Sequence, residues 1–245
     1  MNDYSVDIDE LTKFDRSSGQ WWNKEGEFKM LHQINPLRIK LIITSTLQHF
    51  QITASIGKPL SNLDILDVGC GGGLISVPIS KLGAKVTGID ASYKNIDAAM
   101  NYSKGLGLDI NYLNSSVNAL VQQKKLFDVV LCLEVIEHVA DVEHFISDLC
   151  KLVKNDGLLI ISTINRNIKS YLQVVLLAEY VLRWVPKHTH DYRKFLKPSE
   201  LNNHLSKNQM VINELIGLKY NPIKGWNLSS NVDANYFACV SKINT

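Results

Sequence analysis

The run Leu66-Asp67-Val68-Gly69-Cys70-Gly71-Gly72-Gly73 constrains this chain more than any other feature; it ends an apolar stretch and opens an amphipathic one. Alternate glycines let a strand turn sharply into a helix and leave main-chain amides bare for a ligand. The start of the helix behind the turn adds a partial positive charge that suits an anionic group. A dinucleotide fingerprint of the GxGxxG type would need glycine at 69, 71 and 74, but position 74 is Leu. The pattern present is DxGxGxG. The run Val86-Thr87-Gly88-Ile89-Asp90 closes on an aspartate 17 residues after Gly73. An aspartate there can cap a helix or, at this distance from the turn, accept both hydroxyls of a ribose.

Around the turn the texture is that of a parallel sheet with crossover helices. Strands are expected at Asp64–Val68, Lys85–Ile89, Ile110–Asn114, Phe127–Leu133 and Leu158–Thr163, with helices near 74–82, 93–105, 117–122 and 141–153. Asn155-Asp156-Gly157 reads as a turn before the fifth strand. Leu215–Tyr220 and Tyr236–Ser241 read as a terminal hairpin, whose loop around Lys224–Asn231 borders the substrate. Upstream, Leu31, Ile34, Leu37, Leu41 and Ile42 recur at helical spacing. The expected fold is α/β: a doubly wound, seven-stranded Rossmann-like sheet with an antiparallel C-terminal edge hairpin and an N-terminal helical cap. It forms one domain over 1–245, divided into a cap (1–60), a cofactor-binding core (61–165), an inserted segment (166–197) and the edge region (198–245).

Composition narrows the classes. The chain has 245 residues and a net charge of +2, without a basic arm, which argues against a nucleic-acid partner. Cys70, Cys132, Cys150 and Cys239 form no CxxC pair, and three lie in apolar runs, as reduced buried thiols of a cytosolic protein would. The polar, acidic start lacks the features of a secretory signal. No stretch reaches the roughly 18 to 20 apolar residues that a spanning helix needs.

The glycine turn resembles motif I of class I S-adenosylmethionine methyltransferases. Longer segments are more specific: Phe14-Asp15, Trp21-Trp22-Asn23-Lys24-Glu25-Gly26-Glu27-Phe28, Ile34-Asn35-Pro36-Leu37-Arg38, Ser162-Thr163-Ile164-Asn165-Arg166-Asn167, Thr189-His190-Asp191 and Tyr220-Asn221-Pro222. In order and over nearly the whole chain, they resemble the ubiquinone-biosynthesis O-methyltransferase family. The resemblance implies S-adenosylmethionine as cofactor and two O-methylations, of a polyprenyl-hydroxyphenol and of demethylubiquinol. It implies cofactor contacts at Arg38, Gly69, Asp90 and Leu133, with Gly71 in the same turn. Physically, Arg38 offers a planar fork for the cofactor carboxylate, although a surface arginine on an amphipathic helix would look the same. Ser116 and Val117 are placed beside the adenine.

A phenol is mostly protonated at neutral pH, so its oxygen needs a base or a metal. Glu134-Val135-Ile136-Glu137-His138 sets two carboxylates and an imidazole on one helical face. That set suits Mg²⁺ or a similar divalent ion at Glu134, Glu137 and His138. The same run also occurs in methyltransferases without metal, where it caps a helix. His138 is the alternative base, and His190 a second candidate.

The polyprenyl substrate that the resemblance implies resides in the bilayer. Tyr171–Trp184 reads as a helix whose Gln173, Glu179 and Arg183 fall within about one third of the circumference, leaving a broad apolar face. Arg166, Lys169, Lys187, Arg193 and Lys194 flank it. The stretch 169–187 therefore suits an anionic membrane surface, or else a lid over the substrate pocket. The expected location is cytoplasmic, peripheral to the inner face of the membrane, with a place in a ubiquinone-biosynthetic complex allowed. Two other readings remain open: methylation of another phenolic or quinone-like small molecule, and a non-catalytic subunit of a membrane-associated complex. The intact glycine turn, Asp90 and Glu134–His138 cluster speak against the second.

Overall fold

Eight strands form one sheet in the order β3-β2-β1-β4-β5-β8-β6-β7. In chain order they are β1 (Asp64–Val68), β2 (Lys85–Asp90), β3 (Asn111–Asn114), β4 (Phe127–Leu133), β5 (Val153–Ile164), β6 (Met210–Asn221), β7 (Gly225–Ser229) and β8 (Asn235–Lys242). The computed structural model describes residues 15, 17–53, 57–167, 192–221, 223 and 225–243. The expected amphipathic helix Tyr171–Trp184, together with Lys169, Lys187, His190 and Asp191, lies outside them.

β1 to β5 run parallel, and β8 inserts antiparallel between β5 and β6. Among the described residues the α-helices are α1 (Lys29–His49), α2 (Ser76–Lys81), α3 (Tyr93–Gly105), α4 (Val117–Gln122), α5 (Val142–Lys151) and α6 (Pro198–Lys207). Three of them start on side chains that take up a bare amide of the first turn. Ser92 accepts from Asn95 N, Ser116 from Ala119 N and Asp141 from His144 N.

The central strands read as nearly continuous apolar runs because both sheet faces are covered. Leu66, Val130, Cys132, Leu159 and Ile161 face a core closed by Phe145, Ile146 and Leu149 of α5 and by Leu201 and Leu205 of α6. Their neighbours Ile65, Val129, Leu131, Leu158 and Ile160 face the other way, onto Ile34, Leu41 and Ile42 of α1 and Ile79 of α2. All four cysteines are buried and free. Among the described residues, no helix is long and apolar enough to cross a membrane.

Three elements depart from expectation: β6, expected from Leu215, already begins at Met210, which pairs with Lys242 of β8. The sheet has an eighth strand: Gly225–Ser229, read as a loop, pairs with β6 from Gly217↔Ser229 to Asn221↔Gly225. It lengthens the face under α1, where Trp226 and Leu228 pack against the same core as Ile34 and Leu41. β5 also begins five residues early, at Val153, because Phe127 pairs with Val153 before the register jumps to Val129↔Leu158. Residues 154–157 form the excursion in that jump, so the turn lies within the strand.

Candidate cofactor and methyl-transfer site

The chain order reverses between β1 and β4, so their C-terminal ends flank a crevice of the kind in which ligands of open α/β sheets sit. Gly69, next after β1, is exposed and has φ +65°, and a Cβ there would lie 2.5 Å from Val135 Cγ2. The main chain is therefore bare at the crevice floor. Beneath it, Asp67 is buried and accepts from Ser76 Oγ at 2.5 Å. Burial pushes this carboxyl up to about 6, against the hydrogen bonds from Ser76.

Asp90 closes β2 and holds the turn from its far side. Its Oδ2 accepts from Gly71 N at 2.9 Å, and its Oδ1 accepts from Ser92 N at 2.8 Å and Asn95 Nδ2 at 3.2 Å. Three of the roughly four lone-pair positions of this carboxylate are thus used. Its pKa is raised, mainly by burial.

Across the crevice, α1 carries Arg38, only 4% exposed, with Nη2 3.7 Å from Glu134 Oε1. Its Nε and Nη2 have no hydrogen-bond partner. Burial lowers its pKa, while Glu134, Glu137 and Asp67 raise it; a guanidinium stays charged under either influence. A buried cation with idle donors calls for an anion. Together with the bare Gly69 and the Asp90 carboxylate, this donor set fits the carboxylate and ribose ends of S-adenosylmethionine. Leu133, 8% exposed, ends β4 as an apolar wall.

Glu134 follows with φ +57°, in the left-handed region that non-glycine residues rarely adopt. Ser162 fixes it there: Glu134 N donates to Ser162 O and Oγ, each at 3.1 Å, and Ser162 Oγ donates back to Glu134 Oε1 at 2.7 Å. Asn235 Nδ2 donates to the same oxygen at 2.9 Å. Glu137 instead turns into the core, where Oε2 accepts from Thr163 Oγ1 at 3.0 Å. Burial, and then Glu134, push its pKa well above the carboxylate range. His138 sits half-buried at the end of a 3-10 turn over Ile136–His138. The structure thus does not assemble Glu134, Glu137 and His138 into a ligand set. Among the described residues, no three His, Cys, Asp or Glu side chains could hold a metal ion together.

Ser116 caps α4, and Val117 is a core residue at 2% exposure. Beside the 3-10 turn opens a cavity of about 660 Å³. Ile136, Val139, Val142 and Phe195 line it, with the ion-paired Arg166 and Glu200 at one side. Asn95 and Asn235 belong to no motif, and Ser162 and Thr163 were visible only within the family-like run Ser162–Asn167; that the three distant segments bond Asp90, Glu134 and Glu137 was not visible in the sequence. The Trp21-Trp22 pair was visible, although its place against the glycine turn was not.

A methyltransferase-domain family model matches residues 66–161. The chain is 51% identical to the ubiquinone biosynthesis O-methyltransferase of Rickettsia akari (strain Hartford), over 98% of this chain and 93% of the relative. It is 50% identical to that of Rickettsia felis (strain ATCC VR-1525 / URRWXCal2), over 97% and 95%. Among solved structures, it is similar in fold to magnesium protoporphyrin IX methyltransferase from Synechocystis PCC 6803 with bound SAH. That match has TM-score 0.63 and 18% identity, and covers 95% of this chain and 94% of the other. An S-adenosylmethionine-dependent methyltransferase from Clostridium acetobutylicum ATCC 824 has TM-score 0.62 and 13% identity, covering 95% and 99%.

Proposed function

The chain belongs to the ubiquinone biosynthesis O-methyltransferase family, and from that premise we propose that it methylates catechol-type hydroxyls of polyprenylated ubiquinone precursors. These are a 2-polyprenyl-6-hydroxyphenol and 3-demethylubiquinol. The observation that carries the cofactor end is Arg38, a buried guanidinium among Glu134, Glu137 and Asp67 whose Nε and Nη2 have no hydrogen-bond partner.

In this reading Arg38 holds the amino-acid carboxylate of S-adenosylmethionine, Gly69 and Gly71 give it a backbone surface, Asp90 takes a ribose hydroxyl and Leu133 walls the apolar side. When bound, the cofactor supplies a methyl group on a sulfonium, an electrophile that needs no further activation. The protein must align the acceptor oxygen in line with that methyl and remove its proton. His138, at the crevice edge behind Glu134, is assigned the proton. The apolar wall of Ile136, Val139 and Phe195 offers room for the first part of the acceptor's tail. Glu134 and Glu137 are turned toward Ser162, Asn235 and Thr163, which favours a structural role for both over metal ligation. Approach to the lipid-borne acceptor is assigned to the stretch 169–187 on an anionic membrane surface, on its sequence pattern alone.

The test is methyl transfer from labelled S-adenosylmethionine to short-tailed demethylubiquinol, with and without EDTA. Turnover is expected in both, and His138→Gln should lower kcat by about 100-fold or more while S-adenosylhomocysteine still binds. Loss of activity in EDTA and its return with Mg²⁺ would move the proton's removal to a metal. No turnover by a chain that binds S-adenosylhomocysteine would rule out this acceptor.

A further inference from the structure

The segment before α1 grips the glycine turn from outside the crevice. Trp21 is 8% exposed and stacks on Phe28, with centroids 3.8 Å apart and planes within 4°. Its ring lies so close to the turn that a Cβ at Gly71 would meet Cη2 at 2.4 Å, and one at Gly72 would meet Cγ at 2.3 Å. Trp22 Nε1–H donates to Gly72 O at 2.9 Å, and its ring stacks on Tyr102 of α3 at 3.5 Å.

One bond in this cluster reaches the cofactor side. Trp21 Nε1–H donates to Asn95 Oδ1 at 2.8 Å, and Asn95 Nδ2 donates to Asp90 Oδ1 at 3.2 Å. An indole nitrogen can only donate, so its partner must be the amide oxygen. That choice leaves the Asn95 NH₂ for Asp90. With the indole donor gone, the amide is free to flip and set oxygen against carboxylate.

We propose that Trp21 is a positioning residue for the cofactor ribose, acting through Asn95 to fix the plane and the open lone pair of Asp90. The inference rests on the reading of Asp90 as the ribose acceptor. Trp21 has no need to touch the ligand, because the relay carries its effect over two hydrogen bonds. The effect is confined to the part of the ligand that bears the hydroxyls.

The experiment is calorimetric binding of S-adenosylhomocysteine, and of its analogue lacking both ribose hydroxyls, to the full chain and to four variants. These are Trp21→Phe, Asn95→Leu, the double variant and Asp90→Asn. Phe keeps a ring over the glycines and loses only the donor, and Asn95→Leu removes both relay bonds should Trp21→Phe fail to fold. Each relay variant should weaken S-adenosylhomocysteine by about threefold to tenfold, the effect of one lost hydrogen bond. Neither should weaken the analogue, and Trp21→Phe should add nothing once Asn95 is replaced. Equal losses for both ligands, or additive losses in the double variant, would overturn the relay. Wild-type binding by Asp90→Asn would overturn the ribose reading and the proposal with it. Weak binding by Asp90→Asn beside unaffected relay variants would remove the relay alone.

Discussion

Asp67 shows what one buried carboxyl does to the fold. At 3% exposure it keeps two hydrogen bonds from Ser76, yet burial outweighs them and raises its pKa from 3.8 to about 6. The folded state therefore holds this proton more tightly than the unfolded chain does. The stabilisation is fully present below pH 3.8 and is lost as pH rises through about 6. The displacement corresponds to about 3 kcal/mol. Asp67→Asn, which carries no charge at any pH, should lack this slope. Urea unfolding of both proteins between pH 4 and 7 measures most of it: the stability of wild type relative to Asp67→Asn should fall by about 2 kcal/mol across that window. Parallel curves would show that Asp67 titrates normally. Glu137 points the same way, with burial and the neighbouring Glu134 favouring its neutral form.

Among the elements, the glycine turn is where local rule and tertiary packing converge. Gly71 has φ +52°, a conformation that costs other residues about 1–2 kcal/mol, and a Cβ there would also run into the Trp21 ring. Gly71→Ala should lower the unfolding midpoint and weaken S-adenosylhomocysteine by about tenfold or more. Unchanged binding and midpoint would mean that Trp21 moves aside at no cost. Short-range rules were enough for several elements. β1 and β4 match their expected bounds, as do α3 and α4, because apolar runs flanked by turn residues and serine caps act locally. β7 escaped because Gly225, Asn227 and Ser229 disfavour a strand, and only pairing with β6 and the apolar underside of α1 make it one. At the site, Gly69 follows β1, and Asp90 and Leu133 end β2 and β4, at the strand ends where the sequence placed them; their contact with a cofactor is what the family resemblance implies. The ties of Glu134 to Ser162 and Asn235 could not, since they join residues 28 and 101 positions apart.

Across the whole molecule, the antiparallel edge completes a crevice that parallel strands open. β1 to β5 bring only their C-terminal ends to that edge, but β8 runs the other way and begins there, with Asn235 opposite Ile164. The cofactor side and the side facing β5 and β8 thus meet at Glu134. In the proposed function a polyprenyl acceptor reaches this edge from a bilayer, and the sequence Tyr171–Trp184 that follows β5, with its apolar pattern and basic flanks, is the proposed contact. Each leucine placed in the interface contributes about 1.5–3 kcal/mol, and each nearby Lys or Arg about 1 kcal/mol on anionic lipid. Replacing Leu176 and Leu177 with Asp removes two apolar anchors and adds repulsion. Co-sedimentation with vesicles of phosphatidylglycerol and phosphatidylethanolamine should then fall about 100-fold or more in partition coefficient. Wild-type binding should itself weaken as salt rises from 0.05 to about 0.5 M, because screening reaches the basic flanks before the leucines. Methyl transfer to a short-tailed, water-soluble acceptor should survive in the double variant, since the crevice at Gly69, Asp90 and Arg38 is untouched. Equal sedimentation of the folded variant and the wild type would place membrane recruitment elsewhere on the molecule. Loss of the soluble reaction together with vesicle binding would make the stretch part of the acceptor pocket.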